Sequence, residues 1–251
     1  MGEQLGILPL KATMNNMTFF KSKDGMRVKL QSKVSGDKIK TADSFQRTRE
    51  NMSAFGAGCA AGKLFRKAIN DISKFAKDPR MTSRMVKVMI SVINADSTHR
   101  RGERNVVDGD LGKLKSFEFN GNSEFAAAFK PNYTAVIDRA TGKFSITVPE
   151  FNPQLSLQKP QYATHYRLVS AATEIDFVTG DYNTKLWQDV QRPITADIVP
   201  ALDIEVDLTA NSVHPLFLVF GIEFFLEDNG ELYSLKNGIF NSLRVVAVSL
   251  V

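Results

Sequence analysis

The feature that most restricts the fold of this chain is an apolar run at residues 216–226, in which Glu223 is the one charged side chain. The run is too short to cross a membrane as a helix, which takes about 20 apolar residues. Its nearly continuous apolar character instead predicts a strand that is covered on both faces. Asp228, Asn229 and Gly230 follow and predict a tight turn into a second strand at 231–235.

The sequence around this run has the alternation of a β domain. From about residue 115 onward, apolar side chains recur with a period of two and turn-forming residues are frequent. Strands are predicted at 133–137, 143–148, 166–171, 174–178, 194–198, 204–208, 216–226, 231–235 and 243–251. Short strands at this spacing predict an antiparallel β-sandwich. Residues 115–251 are therefore assigned to one acidic β-sandwich domain.

Residues 1–114 are predicted to form a basic domain with a small β-meander and a pair of helices. Strands are expected at 7–13, 17–21 and 26–30, with turns at 14–16 and 22–25 and a loop at 32–42. Helical spacing begins near Thr41 or Asp43 and ends at Pro79. A second helix follows, with the buried stripe Met81, Met85, Val88, Met89 and Val92. The predicted fold class is α+β: an N-terminal β-meander plus helix pair, followed by a C-terminal antiparallel β-sandwich.

Charge is distributed unevenly along the chain. Residues 1–120 hold 23 Lys and Arg against 12 Asp and Glu, which gives +11, whereas residues 121–251 hold 9 against 15, which gives −6. The two values add up to the net charge of +5. Such a division fits head-to-tail contact between copies or binding of a polyanion. It also fits two domains whose surfaces merely differ in composition.

Six basic residues form the candidate site, either as a contact between subunits or as a polyanion-binding patch. They comprise a stripe on the second helix and a cluster beyond it: Arg80, Arg84, Lys87, Arg100, Arg101 and Arg104. Readers of single-stranded nucleic acid usually interleave aromatic side chains with such charge, and the cluster contains none. Contact between subunits is therefore favoured over nucleic acid. The suggested acidic partners are Asp203, Glu205 and Asp207.

No motif in the sequence specifies a reaction. The glycine-rich segment 56–62 lies in a helical pattern without a βαβ context, which predicts close helix packing or a kink rather than a phosphate loop. His99, His165 and His214 are not at metal-ligand spacing. The single cysteine, Cys59, lies in an apolar helix that favours a small buried side chain over a nucleophile. The protein is therefore predicted not to be an enzyme and to use no cofactor and no metal.

A ligand- or carbohydrate-binding β-sandwich is a further alternative. Trp187, Tyr162, Tyr166 and Tyr182 are the aromatic side chains that could form a platform for a sugar ring. Packing in a core or an interface is the commoner role of such side chains and is the favoured interpretation.

Several segments together resemble a known family. They are FFKSKDG at 19–25, FQRTREN at 45–51, AD at 95–96, RGERNV at 101–106, PLFL at 215–218, GIEFF at 221–225 and LKNG at 235–238. On these segments, and over nearly its whole length, the chain resembles a family of uncharacterised proteins from Bacteroidota-type bacteria. The resemblance implies a bacterial source and brings no activity or site residue with it.

The expected function is that of a non-enzymatic structural protein that self-associates into a homo-oligomeric tube, filament or shell. Head-to-tail contacts between copies generate rings or open filaments. Both ends of the chain are predicted strands, and such strands can pair with a neighbouring subunit. The sequence begins without the basic and long apolar regions of a secretory signal, so a cytoplasmic location is expected, with non-Sec release as an alternative. No membrane span is expected.

Overall fold

The computed structural model describes residues 2–3, 10–22, 25–31, 34–235 and 239–250. The contacts divide the chain into two units, Met1–Asn51 and Met52–Val251. The predicted fold class is confirmed, since N-terminal strands and a helix pair precede antiparallel sheets.

Four short antiparallel strands form the sheet of the first unit. In the order β1-β4-β3-β2, they are β1 (Gly2–Glu3), β2 (Ala12–Met14), β3 (Met17–Ser22) and β4 (Gly25–Leu30). The predicted turn before β3 is confirmed, because Asn15 and Asn16 have φ values of 45° and 66°, as a two-residue hairpin turn requires. Residues 7–9 of the predicted first strand and residues 23–24 of the second turn lie outside the described residues.

The register of this sheet separates its side chains into two faces. Met17 lies opposite both Met14 and Leu30, and Phe19 lies opposite Val28. These side chains and one more form what we call the apolar face: Met14, Met17, Phe19, Met26, Val28 and Leu30. None of the described residues of the first unit is buried. Met14, Met17 and Leu30 of the apolar face are exposed, and the other three side chains are half-buried.

A short helix, α1 (Gly36–Thr41), lies where the sequence predicted a loop. The side chain of Ser35 caps its start by accepting a hydrogen bond from the N–H of Lys38. Arg49 donates to the carbonyls of Ile39 and Ala42, at 2.9 and 2.8 Å. The loop prediction was wrong because it counted turn-forming residues and overlooked these two supports.

The predicted helix pair is confirmed. The helices are α2 (Gln46–Ala68), α3 (Asn70–Ser73) and α4 (Met81–Asn94), with single turns α5 (Phe125–Ala128) and α6 (Pro153–Ser156) further on. A Cβ atom on Gly58 would lie 3.0 Å from Ile90 Cγ1, and one on Gly62 would lie 3.2 Å from Met85 Cγ. The glycine-rich segment thus lets α2 approach α4 closely, as predicted.

Two antiparallel sheets follow the helices. Their strands are β5 (Thr134–Asp138), β6 (Lys143–Val148), β7 (His165–Ile175), β8 (Tyr182–Gln188), β9 (Arg192–Pro193), β10 (Leu202–Asp207), β11 (Leu216–Asp228), β12 (Glu231–Ser234) and β13 (Ser242–Ser249). One sheet has the order β10-β6-β5. The other has the order β12-β11-β7-β8, with β13 also paired to β11 and β9 to β7.

Strand β11 is covered on both faces, as its apolar run predicted. Phe217 and Val219 pack with the helices in one core, whereas Leu218 and Phe220 face the β10-β6-β5 sheet in a second core. The second unit is therefore layered as helices, large sheet and small sheet.

Three strand predictions differ from the structure. The two strands predicted at 166–171 and 174–178 are one strand, β7, which ends at Ile175 before a turn. Strand β8 was missed because it is an exposed edge strand with a mostly polar sequence. The strand predicted at 194–198 is absent from the described residues. β9 lies just before this segment, and an isolated antiparallel bridge joins Val199 to Phe151 just after it.

The predicted division at residue 114 differs from the division that the contacts make. Leu111, Leu114 and Phe119 lie in the same core as Phe65 of α2, Val169 of β7 and Val245 of β13. Residues on both sides of position 114 therefore share one core, whose assembly depends on contacts that are distant in sequence.

The C-terminal strand is not a free edge. The N–H groups of Ser116 and Phe119 donate to the carbonyls of Val245 and Leu243, at 2.8 and 2.9 Å. The expectation that this strand pairs with a neighbouring subunit is wrong along this stretch. Among the described helices, none is both long and apolar enough to cross a membrane.

Candidate functional site

The predicted basic stripe on α4 is partly occupied by internal contacts. Arg84 Nη1 lies 2.6 Å from Oδ2 of the buried Asp78, and its Nη2 donates to the carbonyls of Glu118 and Phe119. Burial alone would raise the pKa of Asp78, but donation from Gly121 and Arg84 lowers it. Arg84 therefore anchors the start of α4, whereas Arg80 and Lys87 are exposed.

The second basic cluster lies at the other end of α4. Arg100 and Arg101 are exposed, and Arg104 donates to the carbonyls of Asn94 and His99, at 3.3 and 3.5 Å. A cation beside the last carbonyls of a helix is favourable. A helix of 14 residues is about 20 Å long, so the six predicted residues form two separate groups.

The suggested acidic partners lie on β10, where all three are exposed. Asp203 accepts a hydrogen bond from Thr147 Oγ1 at 2.8 Å, and Glu205 pairs with Lys143 at 3.0 Å. Two of the three carboxylates therefore already have partners within their own sheet.

The structure adds two lysines to part of the predicted stripe. Arg84 and Lys87 line a groove of about 440 Å³ together with Lys113 and Lys115, which we call the basic groove. Glu118 is the one carboxylate among the lining residues. Burial raises the pKa of Glu118 to about 7, although Phe125 N–H donates to it and Arg244 lies 3.5 Å away. Near neutral pH this carboxyl is therefore only partly charged, which increases the positive character of the groove.

The sequence interpretation missed a cluster around His99. The structure brings His99, Asp96 and Asp108 together, with potential ligand atoms within 4.8 Å of one another. The buried Asp96 accepts five hydrogen bonds, which come from the N–H and Oγ1 of Thr98, the N–H and Nδ1 of His99, and the N–H of Asn105. Both carboxylate oxygens of Asp96 thus accept hydrogen bonds from the loop. In the sequence, the feature that could have indicated this cluster is the i, i+3 spacing of Asp96 and His99.

The pKa of Asp96 reflects these contacts. Burial alone would raise it, but the hydrogen bonds from Thr98, His99 and Asn105 hold it well below the ordinary value. Asp96 is therefore an ionised, buried centre around which residues 96–105 are folded.

The four aromatic residues of the carbohydrate alternative do not form one platform. Tyr166 is fully buried between the sheets, and Trp187 packs against the same core. Tyr182 lies on the opposite face of β8 from Trp187 and has Lys67 Nζ 5.4 Å from its ring centre. Tyr162 is exposed. The favoured interpretation, packing, holds for Tyr166 and Trp187.

The second unit also carries an apolar cleft. Two adjoining hollows, of about 620 and 440 Å³, share Val107, Phe177 and Val178. The first is bounded by α2 through Ala57 and Leu64, and the second extends to Val213, His214 and Leu250. We refer to the two together as the apolar cleft.

The carboxylates that line the apolar cleft are Asp108 and Asp176. A third hollow that shares Asp176 and His214 adds Glu174 and Asp181. Among the described residues that line these three hollows, none is Lys or Arg. A neighbouring hollow that shares Tyr182 with the third is lined by Lys63, Arg66 and Lys67.

No protein-family model matches this chain, and no curated protein is similar to it at a significant level.

Proposed function

We propose that this protein is a non-enzymatic structural protein that self-associates into a homo-oligomeric assembly through its N-terminal unit. The observation that carries the proposal is the apolar face. Six apolar side chains line one side of the sheet, and none of them is buried. A small sheet gains most of its stability by packing an apolar face against something else.

The charge of the first unit also supports the proposal. Residues 1–51 hold 10 Lys and Arg against 5 Asp and Glu, whereas residues 52–251 hold 22 of each. The net charge of +5 therefore belongs entirely to the unit that carries the apolar face. Such a surface attracts an acidic partner surface and adds specificity to apolar contact.

The test is to make the apolar face polar. In the triple variant Met14→Thr, Met17→Thr and Leu30→Thr, three adjacent positions lose their apolar side chains but keep strand-forming residues. We expect the wild type to sediment as a multiple of 27.9 kDa and the triple variant to sediment as a monomer. Sedimentation velocity over a range of protein concentrations measures both.

A matched control changes the other face of the same strands. Thr13, Thr18 and Lys29 occupy adjacent positions there, and their replacement by Ser should leave the mass unchanged. A wild type that is monomeric at all concentrations, or a triple variant with the wild-type mass, would contradict the proposal.

A second candidate function, binding of a polyanion such as nucleic acid, is favoured by the basic groove. Its four cations line one continuous surface. Arg84 is committed to the buried Asp78. Lys113 Nζ lies 3.6 Å from Asp110 Oδ2, but both side chains are exposed, and such a pair is weak. Lys87, Lys113 and Lys115 are therefore the groups that can contact phosphates.

For this candidate we expect Lys87→Glu, Lys113→Glu and Lys115→Glu together to weaken binding of a single-stranded oligonucleotide at least about tenfold, with a smaller salt slope. Fluorescence anisotropy at several salt concentrations measures both quantities. Arg100→Glu with Arg101→Glu, at the other end of α4, is the control. If the wild type fails to bind at low salt, the groove has no such role. Measuring mass on the same samples separates this function from assembly.

A further inference from the structure

We infer that the apolar cleft of one copy receives the apolar face of a second copy, so that subunits join head to tail. This inference rests on the proposed function and names the surface that the N-terminal unit contacts. It commits to one occupant, the first unit of another molecule of this chain.

Exposure of the cleft residues is the first argument. Val178 and Val213 are 80% and 71% exposed, and Val107 and Leu250 are also exposed. Valine and leucine side chains grouped around one hollow mark a surface that a partner covers, whereas isolated ones are ordinary. The apolar face shows the same condition, with Leu30 77% exposed. Contact between the two surfaces would bury exposed apolar side chains of both.

Charge is the second argument. Asp108 and Asp181 are exposed and Asp176 is half-buried, and these three carboxylates make the lining of the cleft and of the hollow beside it acidic. Glu174 is buried and accepts a hydrogen bond from Ser212. Hydrogen bonds from Val178 and Thr179 lower the pKa of Asp176, which keeps this group ionised. The first unit carries the +5 of the chain. Unlike charges at the margin of an apolar contact steer the two surfaces together and fix their orientation.

The type of assembly follows from the difference between the two contact surfaces. Each copy presents one apolar face and one cleft, so every copy can contact two neighbours. Contacts of this heterologous kind close into a ring or continue as an open filament. Binding of the first unit to the cleft of its own chain would leave the protein monomeric.

Two blocked variants test the inference by complementation. Val178→Lys with Val213→Lys places charge in the cleft at exposed positions, where substitution seldom affects folding. Met14→Thr, Met17→Thr and Leu30→Thr replaces the three exposed side chains of the apolar face and leaves the cleft intact. We expect each variant alone to be monomeric. An equimolar mixture should form a 1:1 complex of twice 27.9 kDa, because each complex has one intact contact and no surface for further growth.

Val190→Lys with Ile198→Lys is the matched control, because these side chains are similarly exposed, at 66% and 64%, and do not line the cleft. This control should assemble like the wild type. If the cleft variant assembles like the wild type while the face variant is monomeric, the inference is overturned and the proposed function stands. If both variants are monomeric and their mixture forms no complex, the intact face does not bind the intact cleft and the inference is again overturned. A monomeric wild type would overturn both.

Discussion

Replacing Gly221 by alanine is expected to destabilise the protein by on the order of 3 kcal/mol and to lower its Tm by roughly 10 °C. Gly221 lies in the middle of β11, opposite Leu243 of β13 and Val169 of β7. A Cβ atom there would lie 2.5 Å from the carbonyl oxygen of Ser242 and 2.7 Å from Leu243 Cδ1. Because β13 is held by β11 on one side and by residues 116–119 on the other, its backbone cannot move aside without losing hydrogen bonds.

Urea unfolding followed by circular dichroism and by the fluorescence of Trp187, the single tryptophan, measures this effect. Gly56→Ala is the control, since nothing lies within 4 Å of the Cβ position in α2. That variant should gain up to about 1 kcal/mol from helix propensity. A Gly221→Ala protein as stable as the wild type would show that β13 accommodates the methyl group.

Replacing Asp96 by alanine is expected to lower the Tm by on the order of 10 °C and to open the loop after α4. The buried carboxylate organises the loop through five hydrogen bonds, and its loss leaves several donors without their acceptor. Arg100, Arg101 and Arg104 lie in this loop, so trypsin should cleave the variant there much faster than the wild type. Asp108→Ala, at an exposed position of the same cluster, should have a small effect.

The effect of Asp96 depends on pH in a defined direction. Because its pKa is lower in the folded state than the ordinary 3.8, its contribution to stability is complete above about pH 4 and is lost as the pH falls below that. The Tm difference between wild type and Asp96→Ala should therefore shrink below pH 4. A difference that stays constant from pH 7 to pH 3 would show that the carboxylate charge is not what holds the loop.

The Asp96 loop also bears on assembly. Asn105, Val107 and Asp108 form one wall of the apolar cleft, and Asp96 accepts from Asn105 at the start of that wall. If the cleft receives the first unit of another copy, Asp96→Ala should weaken assembly as well as the fold. Gly221 contacts neither surface, so any folded fraction of Gly221→Ala should still assemble.

Much of the fold followed from local patterns. The apolar run at 216–226 can bury its side chains only if layers cover both faces of the strand. Helical spacing with small residues at Gly58 and Gly62 predicted two closely packed helices. Strand β8 was not predicted because an edge strand needs no apolar alternation. Helix α1 was not predicted because a short helix can depend on a single cap and a distant arginine. The division at residue 114 differed because membership in a core is decided by contacts far apart in sequence.

For the candidate surfaces, the sequence by itself determined which residues were basic, acidic or apolar and which of them shared a strand face. Only the tertiary structure decided how they group: Arg84 is committed to Asp78, Lys113 and Lys115 join Lys87, and Asp96 gathers the loop around its carboxylate. The structure alone also decided that the face at Met17 and Leu30 has no buried side chain and that Val178 and Val213 lie beside one cleft. The physical reason is that periodicity specifies where a side chain points on its own element, whereas burial and partnership depend on elements that the chain brings from elsewhere.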